Sequence, residues 1–415
     1  MTDYKYKINK LYNNSSDSVT LNIELNRLKI INELTNIFKN FIKKISNNNK
    51  VFLHNKIDEY VQRWCWLQYN SLNDSVIPYI NTNDYDFEDF IDFIKYNLEI
   101  ELDTKNQDFI QLKNDIICFL KNSYEFLLSL NNINSKSNHL IFTEFIGTQE
   151  IPDIKKINNN NNNITLIYNN NRLSISIKLY NKLVDKFKKN NDNDINIDVY
   201  IYYLLFRYSY IESGNQQLAI NEKIKYMFKD FGVNFELYGS AINTTSDNYC
   251  SLYYDIEKYF GSKGDFFHIE LYSGIFWCNP PYCNTLLTKT AIKILNYLKY
   301  NDLCFIITIP IWDKKTQNNI NSYTNVQRNI NTNITDISEY DDYLIYYLLK
   351  PYIKDELIIP KYRIPYFNYR LNKYIYAVDT YMLIIYNEND KDKFSKLHNI
   401  FDLIIDLDKN NYFII

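Results

Sequence analysis

Residues 276 to 284 read Phe-Trp-Cys-Asn-Pro-Pro-Tyr-Cys-Asn, and Asn279, Pro280, Pro281 and Tyr282 place two acceptors, two rigid rings and an aromatic face in four consecutive positions. The side-chain oxygen of Asn279 and the carbonyl of Pro280 can between them accept both N–H bonds of an exocyclic amine. Such an amine on adenine is a poor nucleophile because its lone pair is delocalised into the ring. Two fixed acceptors turn that lone pair toward an incoming electrophile by orientation and preorganisation, with no strong base required. The prolines remove two backbone donors, fix φ and restrict the residues before them, which holds the acceptors outward at a strand end. Tyr282 offers a flat surface for a base extruded from its stack. With 8 prolines and 17% aromatic residues, chance supplies about 0.026 Pro-Pro-aromatic triplets in such a chain. A strand that merely stops at a Pro-Pro turn is therefore the weaker explanation, and the run points to alkylation of an amino group.

Elements on both sides of this run must position it. Six of the seven glycines fall between Gly214 and Gly274, directly upstream. In a glycine-poor chain this clustering marks backbone that takes positive φ or approaches a ligand closely; tight turns between strands are the alternative. From Phe235 the pattern alternates as α/β units. Phe235 to Ala241, Ser251 to Asp255 and Ile275 to Cys278 are strand candidates, Thr285 to Tyr300 is an amphipathic helix, and Leu303 to Ile309 is an apolar run expected of a strand buried on both faces. Leu357 to Ile359 and Tyr381 to Tyr386 add further strands. The expected fold class is α/β, a Rossmann-like core with a doubly wound, mostly parallel sheet and its ligand crevice at the carboxyl ends of the strands.

The first half reads as mainly helical. Apolar residues recur at three- and four-residue spacing over Leu21 to Ile45, Lys56 to Tyr69, Phe87 to Ile100 and Phe109 to Leu130. The Asn158 to Asn163 run reads as a loop or short insertion. Ile164 to Tyr168 and Arg172 to Ile177 alternate as strands, followed by helices from Lys178 and over Asp198 to Glu212. The expected division is a helical domain with a short β segment over 1–195 and the sheet domain over 196–415, with a polar insertion at about 313–340.

At 415 residues the chain exceeds one ordinary core, consistent with two domains. The net charge of −3 means that a polyanion must bind a local patch. The six cysteines form no C-x-x-C pair and only four histidines are present, so no metal site is expected and the thiols read as reduced and structural. No segment is apolar enough to span a bilayer and no signal peptide is evident, so the expectation is a soluble intracellular protein with no membrane partner.

Three stretches, in order, carry a resemblance to a known family. The first is Arg207-Tyr208 followed by Gly214 and Gln217-Leu218-Ala219; the second is Phe231-Gly232-Val233-Asn234-Phe235-Glu236 with Ser240-Ala241-Ile242-Asn243. The third runs from Tyr249-Cys250-Ser251 through Asp255, Tyr259-Phe260-Gly261-Ser262-Lys263-Gly264, Leu271 and Ser273-Gly274 into Asn279-Pro280-Pro281-Tyr282. Across about residues 170 to 310 the chain resembles the cap-specific adenosine N6-methyltransferases, the phosphorylated-CTD-interacting-factor family.

The resemblance implies a helical domain before a Rossmann-like methyltransferase core that uses S-adenosyl-L-methionine. It further implies methylation of N6 on the adenosine next to the cap of an mRNA 5′ end, usually one already carrying a ribose 2′-O-methyl group. Asn279 to Tyr282 would then orient the amine. Gly239, Ser240 and Asn243 would lie beside the methionine end of the donor, and Asp255 with Phe260, Gly261, Ser262 and Gly264 would shape its adenosine side. Family members usually have Phe or Tyr at the last motif position, and Arg where Lys263 stands. Trp64 and Trp66 are too close together to be the two tryptophans of a WW module, so that module and recruitment to a phosphorylated polymerase tail are not expected.

Arg207, on a mostly apolar helix face, needs a partner, and either the donor carboxylate or Glu212 would serve. Asp255 at a strand end fits a ribose hydroxyl or caps the next turn. Lys350 to Lys373 interleaves Lys361, Arg363, Arg370 and Lys373 with Tyr352, Tyr362, Tyr366, Phe367 and Tyr369, the combination that holds single-stranded RNA, although a solvated basic loop has the same composition. Trp312 is a candidate to stack on the base or the cap, or a core residue. The rival readings are a DNA adenine methyltransferase, because the tetrapeptide alone serves both nucleic acids, and an inactive RNA-binding subunit with the same fold.

Overall fold

The computed structural model describes residues 4–8, 21–46, 54–68, 105–131, 153–159, 162–191, 196–211, 217–281, 284–299, 302–311, 348–410 and 412–413, with isolated positions between 74 and 103. In chain order its elements are β1 (Lys5–Ile8), α1 (Leu21–Ile45), α2 (His54–Leu67), α3 (Gln107–Asn131), β2 (Lys155–Asn159), β3 (Asn163–Tyr168), β4 (Asn171–Ser176), α4 (Ile177–Asn190) and α5 (Ile197–Ile211). There follow β5 (Leu218–Ala219), α6 (Glu222–Asp230), β6 (Phe235–Glu236), β7 (Asn248–Tyr249), α7 (Tyr254–Glu257), β8 (Ile269–Cys278), α8 (Asn284–Tyr297) and β9 (Leu303–Ile311). The last are β10 (Ile353–Ile359), β11 (Tyr366–Asn368), β12 (Lys373–Ile375), β13 (Asp379–Tyr386), α9 (Lys391–Phe394) and α10 (Asn399–Lys409).

These elements form two compact units, and neither is continuous in sequence. One comprises residues 10–216 with 253–259; the other comprises residues 1–9, 217–252 and 260–415. The expected boundary at 195/196 therefore moves to Gln217, because α5 packs against α1 in the helical unit.

In the helical unit α1 buries Ile23, Ile30, Ile31, Leu34, Phe38, Phe41 and Ile42 along one stripe, at the spacing that brings i, i+3 and i+4 to one face. Phe38 meets Tyr60, Trp64 and Phe90 edge-on at centroid separations of 5.9, 5.6 and 4.9 Å. Trp64 is thus a core residue of the helical layer. Strands β2, β3 and β4 form an antiparallel meander. The asparagine run read as a loop is instead built into it: Asn158 and Asn159 close β2, Asn163 opens β3, and Asn162 takes φ 56° at the corner between them. Asparagine adopts this left-handed conformation readily, so the run serves the turn rather than interrupting the fold.

The second unit is a mixed α/β layer structure around a seven-stranded sheet of order β10-β13-β9-β8-β6-β7, with β1 also paired to β8. The pairs β9/β8, β8/β6 and β6/β7 are parallel, and β13 is antiparallel to both β9 and β10. Five strands thus run one way, and β13 and β1 run against them. Side chains alternate between faces as the pleat requires. Phe276, Cys278, Phe305, Ile307 and Leu383 pack under α8 with Leu287, Ala291 and Ile294. Ile275, Trp277, Ile306, Met382 and Ile384 pack on the other face with Ile224 and Phe228 of α6 and Ile400 and Ile404 of α10. β9, read as Leu303 to Ile309, is buried along its whole length to Ile311. Two expected strands change character. Phe235 to Ala241 is a strand only at Phe235–Glu236 because Ser240 begins a turn, and Ser251 to Asp255 is replaced by β7 upstream and helix α7 downstream. The expected 313–340 insertion lies outside the described residues.

β1 fills a gap in this sheet. It pairs with the first half of β8, Lys5 with Ser273 through Ile8 with Ile269, while β6 meets the second half of β8 at Trp277. Immediately before β1, the Tyr4 hydroxyl lies 2.6 Å from the Gly232 carbonyl and 2.9 Å from that of Ile275, and accepts from the Asn234 N–H at 2.7 Å. Burial pushes this phenol up to about 12. Its ring occupies the space a side chain at 274 would need: a Cβ on Gly274 would sit 2.6 Å from Tyr4 Cδ1, and φ there is +134°. Tyr4→Phe should lower unfolding stability by about 1–3 kcal/mol, because buried backbone groups lose their partner. Gly274→Ala should lower it further through the clash and the strained φ. Urea midpoints for both variants check the order.

Candidate active site

Parallel strands β6, β7 and β8 end at one edge of the sheet, and the polypeptide leaving them builds the site. The ladder continues past the strand ends. Leu237 donates to the Trp277 carbonyl at 2.7 Å, Cys250 to Glu236 at 2.8 Å and Gly239 to Cys250 at 2.9 Å. On the far side Ser262 bridges Tyr249 in parallel, Lys263 donates to Tyr249 at 2.8 Å, and Ser251 donates to Gly264 at 2.9 Å. Asn279 follows the last residue of β8 directly, partly exposed, with Pro280 buried and Pro281 exposed. This is the edge at which ligands bind in open α/β sheets. Tyr282 and Trp312 lie outside the described residues.

The turn after β6 is held from several directions. The Ser240 N–H donates to Asn243 Oδ1 at 2.9 Å, and the Asn243 N–H donates back to Ser240 Oγ at 3.1 Å, a reciprocal pair that fixes the loop. Ser240 Oγ donates to Gln217 Oε1 at 2.7 Å, and Thr244 N–H reaches the Ser240 carbonyl at 2.9 Å. The hydroxyls of Tyr238 and Thr290, 2.6 Å apart, tie the start of this loop to α8. Gly239 has no room for a side chain without displacing Glu236, whose Cδ would lie 3.2 Å from the added Cβ. Phe260, Gly261, Ser262 and Gly264 are all buried; the Ser251 and Ser262 hydroxyls are 2.6 Å apart. Gly261 and Gly264 take φ of 96° and 101°, which glycine alone adopts without strain.

Arg207 and Asp255 require correction. Both belong to the helical unit, and Asp255 lies in helix α7 rather than at a strand end. Arg207 is fully buried. Its guanidinium donates to Asp255 Oδ1 and Oδ2 at 2.6 and 2.7 Å and to both oxygens of Glu24, the longer of these contacts being 3.0 Å. Arg27 joins the cluster through Glu24 at 2.7 Å and Asp74 at 2.8 Å, and Tyr210 donates to Glu24 at 2.6 Å. Burial opposes the Arg207 charge, and the Asp255 and Glu24 carboxylates more than offset it, holding the guanidinium protonated well above its ordinary range. These two residues have a structural employment, and the roles of donor-carboxylate partner and ribose acceptor do not stand.

The basic stretch also changes. β10 runs parallel to β8 and β13 runs back, so residues 360–378 leave and re-enter the sheet at the same edge as Asn279. Lys361 and Lys373 are exposed there. Arg363 is exposed but donates to Asp408 at 2.9 Å, and Arg370 is half-buried. Three of the five interleaved rings, Tyr366, Phe367 and Tyr369, are core residues and present no face to a base. They are buried because β11 pairs with β5 and β12 in a small sheet. Tyr362, 71% exposed, remains available. Sequence reading missed Gln217 and Lys225 as groups that shape the site. A lysine on the apolar stripe of α6, flanked by Ile224, Met227 and Phe228, was the available signal for the second.

The sheet defines an α/β protein with a mostly parallel central sheet, and Asn279 and the Ser240–Asn243 turn follow strands that end at one edge of it. Comparison with known proteins points in one direction. The family model described as "Phosphorylated CTD interacting factor 1 WW domain" matches residues 177–340. Its description names a WW domain, against the expectation of a chain without one; the described residues it covers run from α4 through β9 and include the core of the sheet. The chain is 37% identical over 84 residues to proteins of Homo sapiens and Mus musculus, each named "mRNA (2'-O-methyladenosine-N(6)-)-methyltransferase". The match spans 20% of this chain and 12% of each relative. No described helix is long and apolar enough to cross a membrane.

Replacing Arg207 tests its reassignment. Arg207→Met leaves Glu24 and Asp255 buried beside one another, and breaking a buried ion pair from one side costs about 3–5 kcal/mol. The expected result is a large drop in thermal and urea stability, read by circular dichroism; wild-type stability would show that the cluster is not structural.

Proposed function

We propose that this chain is an S-adenosylmethionine-dependent RNA methyltransferase acting on N6 of the adenosine adjacent to the mRNA cap. The observation that carries the reading is the position of Asn279-Pro280-Pro281, directly after β8 and at the edge where β6 gives way to the Gly239–Thr244 turn. The names of the human and mouse relatives support the substrate.

The residues at this edge suit the methyl donor. Gly239 keeps backbone open beside Glu236, the Ser240–Asn243 turn supplies polar groups, and Gly261 and Gly264 allow close approach at positive φ. Gly239, Ser240, Asn243, Phe260, Gly261, Ser262 and Gly264 would hold S-adenosylmethionine, which supplies the methyl group when bound. The protein's own part is orientation. Asn279 Oδ1 and the Pro280 carbonyl accept the two amine hydrogens and direct the nitrogen lone pair into the crevice. Pro281 would hold these acceptors rigid, and Tyr282 would offer its ring to the base. The exposed Lys361 and Lys373, with Arg363 and Arg370 beside them, would meet the phosphates of the RNA.

Asn279→Ala should reduce turnover by on the order of 10² to 10³ while leaving S-adenosylhomocysteine binding largely intact, because one acceptor for the amine is lost at the reacting centre. Single-turnover rates and calorimetry on the same preparation separate the two. A wild-type rate would remove the active-site assignment.

Transcripts beginning with capped A should be methylated and those beginning with capped G should not, as read by nucleoside mass spectrometry. Lys361→Gln with Lys373→Gln should raise KM for RNA and flatten its salt dependence, each lost phosphate contact removing roughly 0.7 from the log–log slope. Equal methylation of internal adenines, uncapped RNA or duplex DNA would defeat the cap-specific reading and leave amine methylation standing.

A further inference from the structure

Lys225 is the most deeply buried lysine among the described residues, and it lies under the donor edge of the sheet. Only 2% of it is exposed. Its ammonium donates to the Asn243 carbonyl at 2.9 Å and stands 3.5 Å from Glu236 Oε1. Two rings flank it, Trp277 of β8 at 4.4 Å and Tyr369 at 5.0 Å from their centroids. A single charge therefore touches the end of β6, the turn that follows it, the strand leading into Asn279, and the segment beyond β11.

Such a placement is costly unless it is compensated. A lysine desolvated to this degree needs a counter-charge, acceptors or π faces, and here it has all three. A hydrophobic core would have been served equally by a methionine or leucine at this helix position, where Ile224, Met227 and Phe228 already do that work. What the ammonium adds is direction. The Asn243 carbonyl belongs to the residue whose side chain and N–H make the reciprocal pair with Ser240, and the Glu236 carboxylate lies against Gly239, so one ammonium fixes both ends of the turn. Burial draws this ammonium below the usual lysine range, with Glu236 opposing the shift.

We propose that Lys225 is a positioning residue that clamps the Glu236–Asn243 loop in the shape that receives the methyl donor. The inference rests on the donor site proposed above. It differs from that reading in assigning the shape of the loop to a buried cation that would not itself touch the donor.

The test uses the full chain, with Lys225→Met and, as a control in the exposed turn just after α8, Lys299→Met. Amide hydrogen exchange without any ligand should be faster at Asn243 and Thr244 in Lys225→Met, with exchange along β9 unchanged. Calorimetry with S-adenosylhomocysteine should show affinity weaker by roughly tenfold, the equivalent of one charge-assisted hydrogen bond, while Lys299→Met binds as the wild type does. Wild-type affinity should fall as pH rises, starting below the range in which an exposed lysine titrates, and that limb should vanish in Lys225→Met. Unchanged exchange together with unchanged affinity overturns the proposal. Should Lys225→Met fail to fold, ligand-free exchange of the wild-type protein decides: slow exchange at Asn243 and Thr244 supports the clamp, and exchange there as fast as in exposed turns overturns it. Wild-type protein that binds no S-adenosylhomocysteine sinks the donor reading, whereas the ligand-free exchange still tests the clamp alone.

Discussion

The backbone of β8 must find partners on both edges for ten residues, and this demand organises the sheet unit. One edge is met by β9 throughout its second half. The other is divided between β1, which serves residues 269 to 273 from the antiparallel side, and β6, which arrives in parallel only at Trp277. Because β6 is short, the chain beyond Glu236 is released early and coils into the Ser240–Asn243 turn next to the point where β8 delivers Asn279. A longer β6 would have carried that turn away from the motif. The brevity of one strand is thus what brings the two halves of the proposed site together.

Polar groups inside the two units solve different problems. In the helical unit, Arg27 and Arg207 pair with Glu24, Asp74 and Asp255 in one buried network. Such a network is sensitive to removal of one member, because the charges left behind stay buried without their partner. In the sheet unit, Lys225 lies buried between Glu236 and the Asn243 carbonyl, at the turn that follows β6. The first arrangement fastens chain segments to one another; the second sets the shape of a loop.

Much of this was legible in local pattern. β9, α8 and α1 follow from apolar period alone, because each buries a face or a whole strand against one core. The place of Asn279 at the end of β8 was readable because the strand and the Pro-Pro break adjoin in sequence. Long-range partners were not. Arg207 finds Glu24 at a separation of 183 residues, which no window on the sequence reveals. Tyr366, Phe367 and Tyr369 carried the signature of a stacking surface, and the pairing of β11 with β12 and with the distant β5 buries them. β1 is four residues long and too short for alternation to stand out.

The interlacing of the two units bears on the order in which the molecule can assemble. The Tyr4 hydroxyl meets groups 228 to 271 residues away, so during synthesis β1 has no strand to join until β8 has left the ribosome. The helical unit waits similarly for α7, which arrives only after the first sheet strands. Closing such long loops costs little extra free energy, since each doubling adds only about 0.6 kcal/mol. The delay is kinetic: a nascent chain must hold β1 without its partner strand, and Arg27 and Arg207 without Asp255, until well past its middle. Slow maturation and reliance on chaperones in vivo are the expected consequence of that chain order.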